Sequence, residues 1–377
     1  MTSDKVMTAI GLMAGTSLDG VDAAVLRTDG MGVAERVASL TVPYDRLAKA
    51  EIVRATKAAL EGREGADDIA RAGDAVTTAH IGAVRKVMEA ARLTRTEIDV
   101  IGLHGQTILH RAPVDRTAPG RTWQIGSGRT LSDETRIDVV DQFRQADMAA
   151  GGEGAPLAPV YHAALVRALE RDHAVAVLNI GGVANVTFVP ASADERGLLA
   201  FDIGPGNGLV DEWVDRHAGL AMDEDGRLAA QGTVDEAAVR MMALNPYLRR
   251  PAPKSLDRYD FKTKAVEGLG LADGAATLTA FTAACVAKSE ALLPAPPGEW
   301  MVCGGGRRNP VLMAALADRL SAPVLSAEEA GWRGDDVEAE CFAYLAVRSL
   351  KKLPISFPST TRAPHPMTGG VYHRAPV

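Results

Sequence analysis

The sequence predicts an α/β fold made of two similar halves whose sheets face each other across a cleft. Two observations carry this. Residues 10–26 read as strand, Gly/Thr/Ser/Asp turn, strand, and residues 175–189 repeat that order around Gly181-Gly182. Around both units, stretches with helical spacing alternate with short apolar runs bounded by glycine, as in layered α/β domains. A chain of 377 residues is long enough for two domains, each with its own core. The boundary is placed near residue 136, giving halves 1–136 and 137–377.

The first hairpin has a larger turn than two strands need. Gly15 and Gly20 free the backbone, Thr16 and Ser17 supply hydroxyls, and Asp19 and Asp22 supply carboxylates around Leu18 and Val21. Backbone N–H groups fanned about such a turn form an anion-binding concavity, and a nearby carboxylate can hold Mg²⁺ through water. An ordinary hairpin with turn-favouring residues reads the same way.

Residues 44–95 are polar and helix-prone, with Val76, Ala79, His80, Ala83, Val87 and Met88 at helical spacing. Ile98 to Leu103 reads as a buried strand that runs into His104-Gly105-Gln106-Thr107. Polar side chains just past the end of such a strand sit where open α/β sheets bind ligands. They suit a hydrogen-bonding wall for a polyol better than they suit a catalytic base. Residues 111–121 read as a surface loop. Arg144 and Asp147, three apart, either join that wall or form a surface pair. The Gly-rich run at 149–156 ends in proline before a helical pattern from Val160 to Leu169, which marks a helix entry.

In the second half, Phe201-Asp202 precedes the glycine turn Gly204-Pro205-Gly206-Asn207 and a helical pattern. A carboxylate held at a strand end can act as general base, or can bond its own turn. Residues 221–262 are charged and irregular, with Lys254 in a Pro-flanked loop where solvation is the default. A helix over 274–292 leads to the strand 300–303, the bare loop Gly304-Gly305-Gly306, and a helix started by Asn309-Pro310. Glycines in succession at a helix entrance admit a flat ring or a phosphate, or simply make a tight turn. Glu338 lies in the first turn of a helix over 335–351, where a carboxylate also suits the helix dipole. Residues 354–377 read as a Pro-rich tail.

Composition narrows the function. The chain is 47% hydrophobic and 24% charged, with net charge −7 and no long basic cluster, which argues against nucleic acid or an anionic membrane as partner. The three cysteines (Cys285, Cys303, Cys341) are scattered in apolar segments, so neither a disulfide framework nor a zinc site is indicated. Residues 174–193 carry no charge, but Asn179, Gly181, Gly182, Asn185 and Pro190 make a poor membrane span. With no signal-peptide pattern at the start, a cytoplasmic protein is expected.

Taken together, Gly15 to Asp22, His104-Gly105-Gln106-Thr107, Arg144 with Asp147 to Gly152, Asn179 to Asn185, Phe201 to Asn207 and Cys303 to Gly306 resemble the anhydro-N-acetylmuramic acid kinases. The likeness runs in register from about residue 10 to 350, with Ala14, Ile203 and Glu153 departing from the usual residues. It implies two ribonuclease-H-like domains of the actin, hexokinase and heat-shock chaperone superfamily, with mixed sheets flanked by helices, closing over ATP. It implies phosphate loops at Gly15–Asp22 and at Gly181, Gly182 and Asn185, with Gly204, Gly304, Gly305, Gly306 and Asn309 on the nucleotide side. Asp19 and Asp22 are the metal candidates. Asp202 is the expected base, with Glu338 orienting water or substrate, and His104, Gln106, Thr107, Arg144 and Asp147 are expected around the sugar. A homodimer is also implied. A heat-shock-type ATPase module and a non-catalytic sugar or nucleotide sensor are the competing readings on the same scaffold.

Overall fold

A computed structural model describes residues 5–63, 65–113, 120–256 and 261–376. Parts of two expected loops, 114–119 and 257–260, lie outside the described residues. The chain forms β1 (Met7–Ala14), β2 (Gly20–Thr28), β3 (Val33–Pro43), α1 (Arg46–Leu60), α2 (Asp67–Ala91), β4 (Val100–Arg111), β5 (Arg121–Ile125), α3 (Gly128–Thr135), β6 (Val139–Asp141), α4 (Gln145–Ala149) and α5 (Pro159–Arg167). It continues through β7 (Val175–Ile180), β8 (Val183–Val189), β9 (Leu199–Pro205), α6 (Gly208–Ala218), α7 (Glu236–Met242), α8 (Leu271–Ser289), β10 (Glu299–Cys303), α9 (Pro310–Arg319) and β11 (Val324–Ser326). It closes with α10 (Val337–Leu350), α11 (Pro358–Thr361) and β12 (Val371–His373).

These elements divide into two compact units, Met1–Ala168 with Asp336–Val377, and Leu169–Asp335. The boundary expected near 136 is therefore corrected, and the chain returns to its first unit at the end. The reason is strand pairing. Strand β6 lies parallel to β4 and antiparallel to β12, so residues after 136 and the C-terminal segment extend the first sheet. The expected Pro-rich tail is folded structure, and His373 Nε2 lies 2.9 Å from a carboxylate oxygen of buried Asp141.

The first unit has the sheet order β12-β6-β4-β1-β2-β3, with β5 on β4; the second has β11-β10-β7-β8-β9. In each, three antiparallel strands (β1-β2-β3, β7-β8-β9) are followed on the first strand's other side by two parallel ones (β4 and β6, β10 and β11). The duplication read from two hairpins thus covers five strands of each sheet.

Core packing explains the strand sequences. In the first unit Ile10, Leu12, Val21, Val25, Ile101 and Leu103 are buried against Ile52, Val76 and Val84 of α1 and α2. On the sheet's other face α10 sits unusually close. A Cβ on Gly11 would overlap the backbone of Ala339 and Ala343, and one on Gly102 would overlap the Phe342 carbonyl. Only glycine lets helix backbone meet strand backbone this closely. In the second unit α8, buried along most of its length, packs Leu278, Phe281 and Val286 with Leu178, Val186, Phe201 and Trp213. Among the described residues no helix is long and apolar enough to cross a membrane.

Candidate active site

In the second unit, sheet register gathers the polar residues. Asn179 of β7 is directly opposite Cys303 of β10 and Asn185 of β8, and Asn185 is opposite Asp202 of β9. Directly opposed residues share one face of a sheet. Asn179, Asn185 and Asp202, widely separated in sequence, therefore form a polar row across three strands. All three are half-buried.

Asp202 is tightly held. Its backbone N–H donates to the Lys254 carbonyl at 2.9 Å, its carbonyl accepts the Tyr247 hydroxyl at 2.7 Å, and its Oδ2 accepts the Leu256 N–H at 2.9 Å. The alternative in which Asp202 bonds its own turn is not what the fold uses; the partner is the 254–256 segment. That segment is anchored in turn. Lys254 donates from Nζ to the Tyr247 carbonyl at 2.9 Å and stands 4.4 Å above the Tyr247 ring. Solvation, the default expected for Lys254, is thus corrected: the side chain is buried. Burial pulls its ammonium down to about 8, with Arg250 adding to the fall and Cys285 and Asp202 opposing it. Sequence reasoning missed Tyr247 because the partner of its hydroxyl is a backbone carbonyl remote in the chain.

Three glycine segments interlock beside this row. The carbonyls of Gly181 and Gly182 accept N–H groups from Gly206, Asn207 and Gly208 at 2.8–3.1 Å. A Cβ on Gly206 would overlap the Gly181 carbonyl, so this bend requires glycine. Gly204 packs toward the Cys285 side chain within β9, so it shapes the core side of the turn. Gly304 has φ +74, and a side chain there would overlap Asn179 Oδ1. Gly182 and Gly305 remain exposed and present bare backbone. Asn309 accepts the N–H groups of Val311 and Leu312 at 3.0 and 3.1 Å, so its Oδ1 caps α9 and only its amide NH₂ remains for a nucleotide. Arg307 fixes the loop by donating to the Gly304 carbonyl at 2.9 Å while paired with Glu328 and Asp335.

In the first unit the turn between β1 and β2 leaves Thr16, Ser17 and Asp19 exposed. Leu18 takes φ +60, and its N–H donates to the Gly15 carbonyl at 3.3 Å. The expected loop is shortened by strand pairing, because Gly20 and Val21 already pair with Pro43 and Val42, and Val21 is core. Gly20 and Val21 thus lie in β2, and the open turn spans 15–19. Asp22 accepts the Thr41 hydroxyl at 2.6 Å. Among the described residues no group of three or more His, Cys, Asp or Glu side chains is arranged to hold a metal. Oxygen donors from Asp19 and Asp22 still fit Mg²⁺, which commonly takes one or two carboxylates and completes its shell with phosphate and water.

The expected sugar wall is largely internal bracing. His104 to Thr107 do not lie past a strand end; β4 runs through them to Arg111, shifting from β1 to β5 near the left-handed Gly105. Gln106 is fully buried and donates to the Gly15 carbonyl at 3.1 Å, so it props the first glycine loop. Thr107 receives a hydrogen bond from the Gln124 amide at 3.2 Å. Asp147, also buried, accepts the Gly154 N–H at 2.7 Å and the hydroxyls of Ser356 and Thr361. It ties the C-terminal segment down, and the surface-pair alternative for Arg144 and Asp147 is excluded by burial. Arg144 and Glu338 remain as the charged pair. Glu338 is reached by water yet ringed by protein. That surrounding pushes its carboxyl above the usual range, Arg144 pulls it back, and Asp22 adds to the rise. Burial lowers the Arg144 guanidinium, and Glu338 is the foremost group restoring it.

The profile of the family described as anhydro-N-acetylmuramic acid kinase matches residues 7–375. A relative of that description from Rhizorhabdus wittichii is 50% identical over 370 residues, covering 98% of this chain and 99% of its own. Those from Azorhizobium caulinodans and Rhodospirillum rubrum are 49% and 48% identical, covering 97% and 98% of this chain and 98% and 95% of their own. Among solved structures, component A of (R)-2-hydroxyglutaryl-CoA dehydratase from Acidaminococcus fermentans aligns with TM-score 0.49 at 12% identity, covering 90% of this chain and 99% of its own.

Proposed function

The chain belongs to the anhydro-N-acetylmuramic acid kinase family, and from that premise we propose what its residues do. The enzyme opens 1,6-anhydro-N-acetylmuramic acid with water and phosphorylates the released 6-hydroxyl from ATP, giving N-acetylmuramic acid 6-phosphate for cell-wall recycling. Asp202 carries the reading, because it is a half-buried carboxylate within β9, in a polar row, with its backbone held by two contacts and its Oδ2 by the Leu256 N–H. It accepts a proton from water as that water bonds to the anomeric carbon. The bond from that carbon to O6 breaks, O6 takes the γ-phosphoryl group, and ADP leaves.

Backbone N–H groups of the glycine bends suit the phosphates, since phosphoryl transfer needs positioning and charge stabilisation more than covalent chemistry. In the first unit the 15–19 turn, with the Thr16 and Ser17 hydroxyls, suits a phosphate group. In the second unit the bends at 181–182 and 304–306 suit a nucleotide. Bound Mg²⁺ would neutralise charge on the transferring group, with Asp19 and Asp22 supplying oxygens directly or through water. Arg144 and Glu338 contact the sugar.

Incubation with ATP, Mg²⁺ and a panel of sugars tests the assignment by mass spectrometry. The expected product is the anhydro-sugar plus one phosphoryl group and one water. ATP hydrolysis stimulated by unfolded peptide and indifferent to sugar would replace this reading with a chaperone-type ATPase. Tight sugar binding without product would make the protein a sensor.

A further inference from the structure

His104 is buried on β4 with its ring 4.6 Å from that of Phe342 of α10. Its Nδ1 lies 2.8 Å from the Gly105 carbonyl oxygen, which can only accept. Its Nε2 lies 3.0 Å from an Arg144 guanidinium nitrogen, which can only donate. These two contacts fix one tautomer: the proton sits on Nδ1, and Nε2 offers its lone pair to Arg144. The second terminal nitrogen of Arg144 donates to the Gly154 carbonyl at 2.8 Å.

We propose that His104 is a positioning residue that aims the Arg144 guanidinium by accepting its hydrogen bond at Nε2. Both terminal nitrogens of Arg144 are then held, one by β4 and one by the turn at Gly154, so the planar group has a set orientation. Glu338 is the leading acidic influence on Arg144, so fixing the guanidinium fixes the field at that carboxylate. A protonated ring would turn a second donor toward Arg144 and break the contact. Burial, reinforced by the Arg144 charge, keeps His104 neutral, its pKa well below the usual imidazole range. The sugar-wall role expected for His104 thus becomes an indirect one, exerted through Arg144. The inference deepens the proposed function, since its kinetic consequence rests on Arg144 contacting the sugar.

Nitrogen-15 spectra of the histidine rings in the full-length protein test the contact without any variant. The expected signature is a neutral His104 protonated at Nδ1. In Arg144→Met it should gain a proton at higher pH than in the parent. Kinetically, His104→Leu should raise the sugar KM or lower kcat on the order of tenfold to a hundredfold, the range for a hydrogen bond to a charged group, with the ATP KM unchanged. His104→Gln, which keeps an acceptor, should recover part of the loss. In the double variant with Arg144→Met the losses should not add. A proton on Nε2, or fully additive losses, would overturn the positioning role. A correct tautomer together with unimpaired sugar turnover in Arg144→Met would overturn the sugar contact of Arg144 while leaving the positioning intact.

Discussion

Asp202→Asn is expected to lower anhydro-sugar turnover by about 10²–10⁴-fold, the usual cost of removing a positioned base. The substitution keeps the three contacts described for residue 202 while removing the charge that supports the Lys254 ammonium. The Tyr247 and Lys254 contacts reach the backbone of residue 202, so they survive the change. The Leu256 N–H can still donate to the Asn side-chain oxygen. What disappears is the carboxylate proposed to take the proton from water. Kinetics with sugar and ATP, alongside calorimetric binding of a non-hydrolysable nucleotide, separate the two effects. Nucleotide binding should persist in a folded variant. Near-normal turnover in that variant would remove Asp202 as base.

Gly11→Ala is expected to destabilise the first unit by about 1–3 kcal/mol or more, the range for overpacking. The added Cβ would meet the helix backbone at Ala339 and Ala343. No flexible side chain stands there to swing aside, so α10 itself must move. Because α10 carries Glu338 in its first turn, activity should fall together with melting temperature. Gly73→Ala in α2 is the control, for a Cβ there meets nothing within 4 Å. In a helix interior that change should be neutral or stabilising by about 0.5–1 kcal/mol. Equal melting temperatures for the two variants would refute the close-contact explanation.

The same glycines show what the sequence could and could not tell. Both strand–glycine–strand units were readable because alternation and turn chemistry are local, and they correctly announced a duplicated fold. Strands β6 and β12 escaped notice because each is only three residues long and is stabilised by pairing with remote partners. That is also why the boundary near 136 failed. Gly11 and Gly102 looked like ordinary strand residues; their meaning lies in a helix more than 200 residues away, at 337–350.

The site divides along similar lines. Asp202 and the bends at 181–182 and 304–306 are legible as candidates because a carboxylate beside a glycine turn and bare backbone in succession are local sequence features, although Asp202 lies within β9 and not at its end. The internal partners of Gln106, His104 and Asp147 were not legible, since residue type cannot tell a group facing a substrate from one bracing a neighbour. Burial decides that, and burial depends on the folded chain. Lys254 shows the opposite error. Its surroundings, Tyr247 and Phe201, come from segments that only the fold brings beside it.

The central claim is that Asp202 delivers water to the anomeric carbon while O6, set free, receives the phosphoryl group. Turnover in water enriched in oxygen-18, followed by fragmentation of the product, tests it most directly. One labelled oxygen on the anomeric carbon, with none in the phosphoryl group, is the predicted outcome. Label in the phosphoryl group, or a phosphorylated sugar that has gained no solvent oxygen, would contradict it.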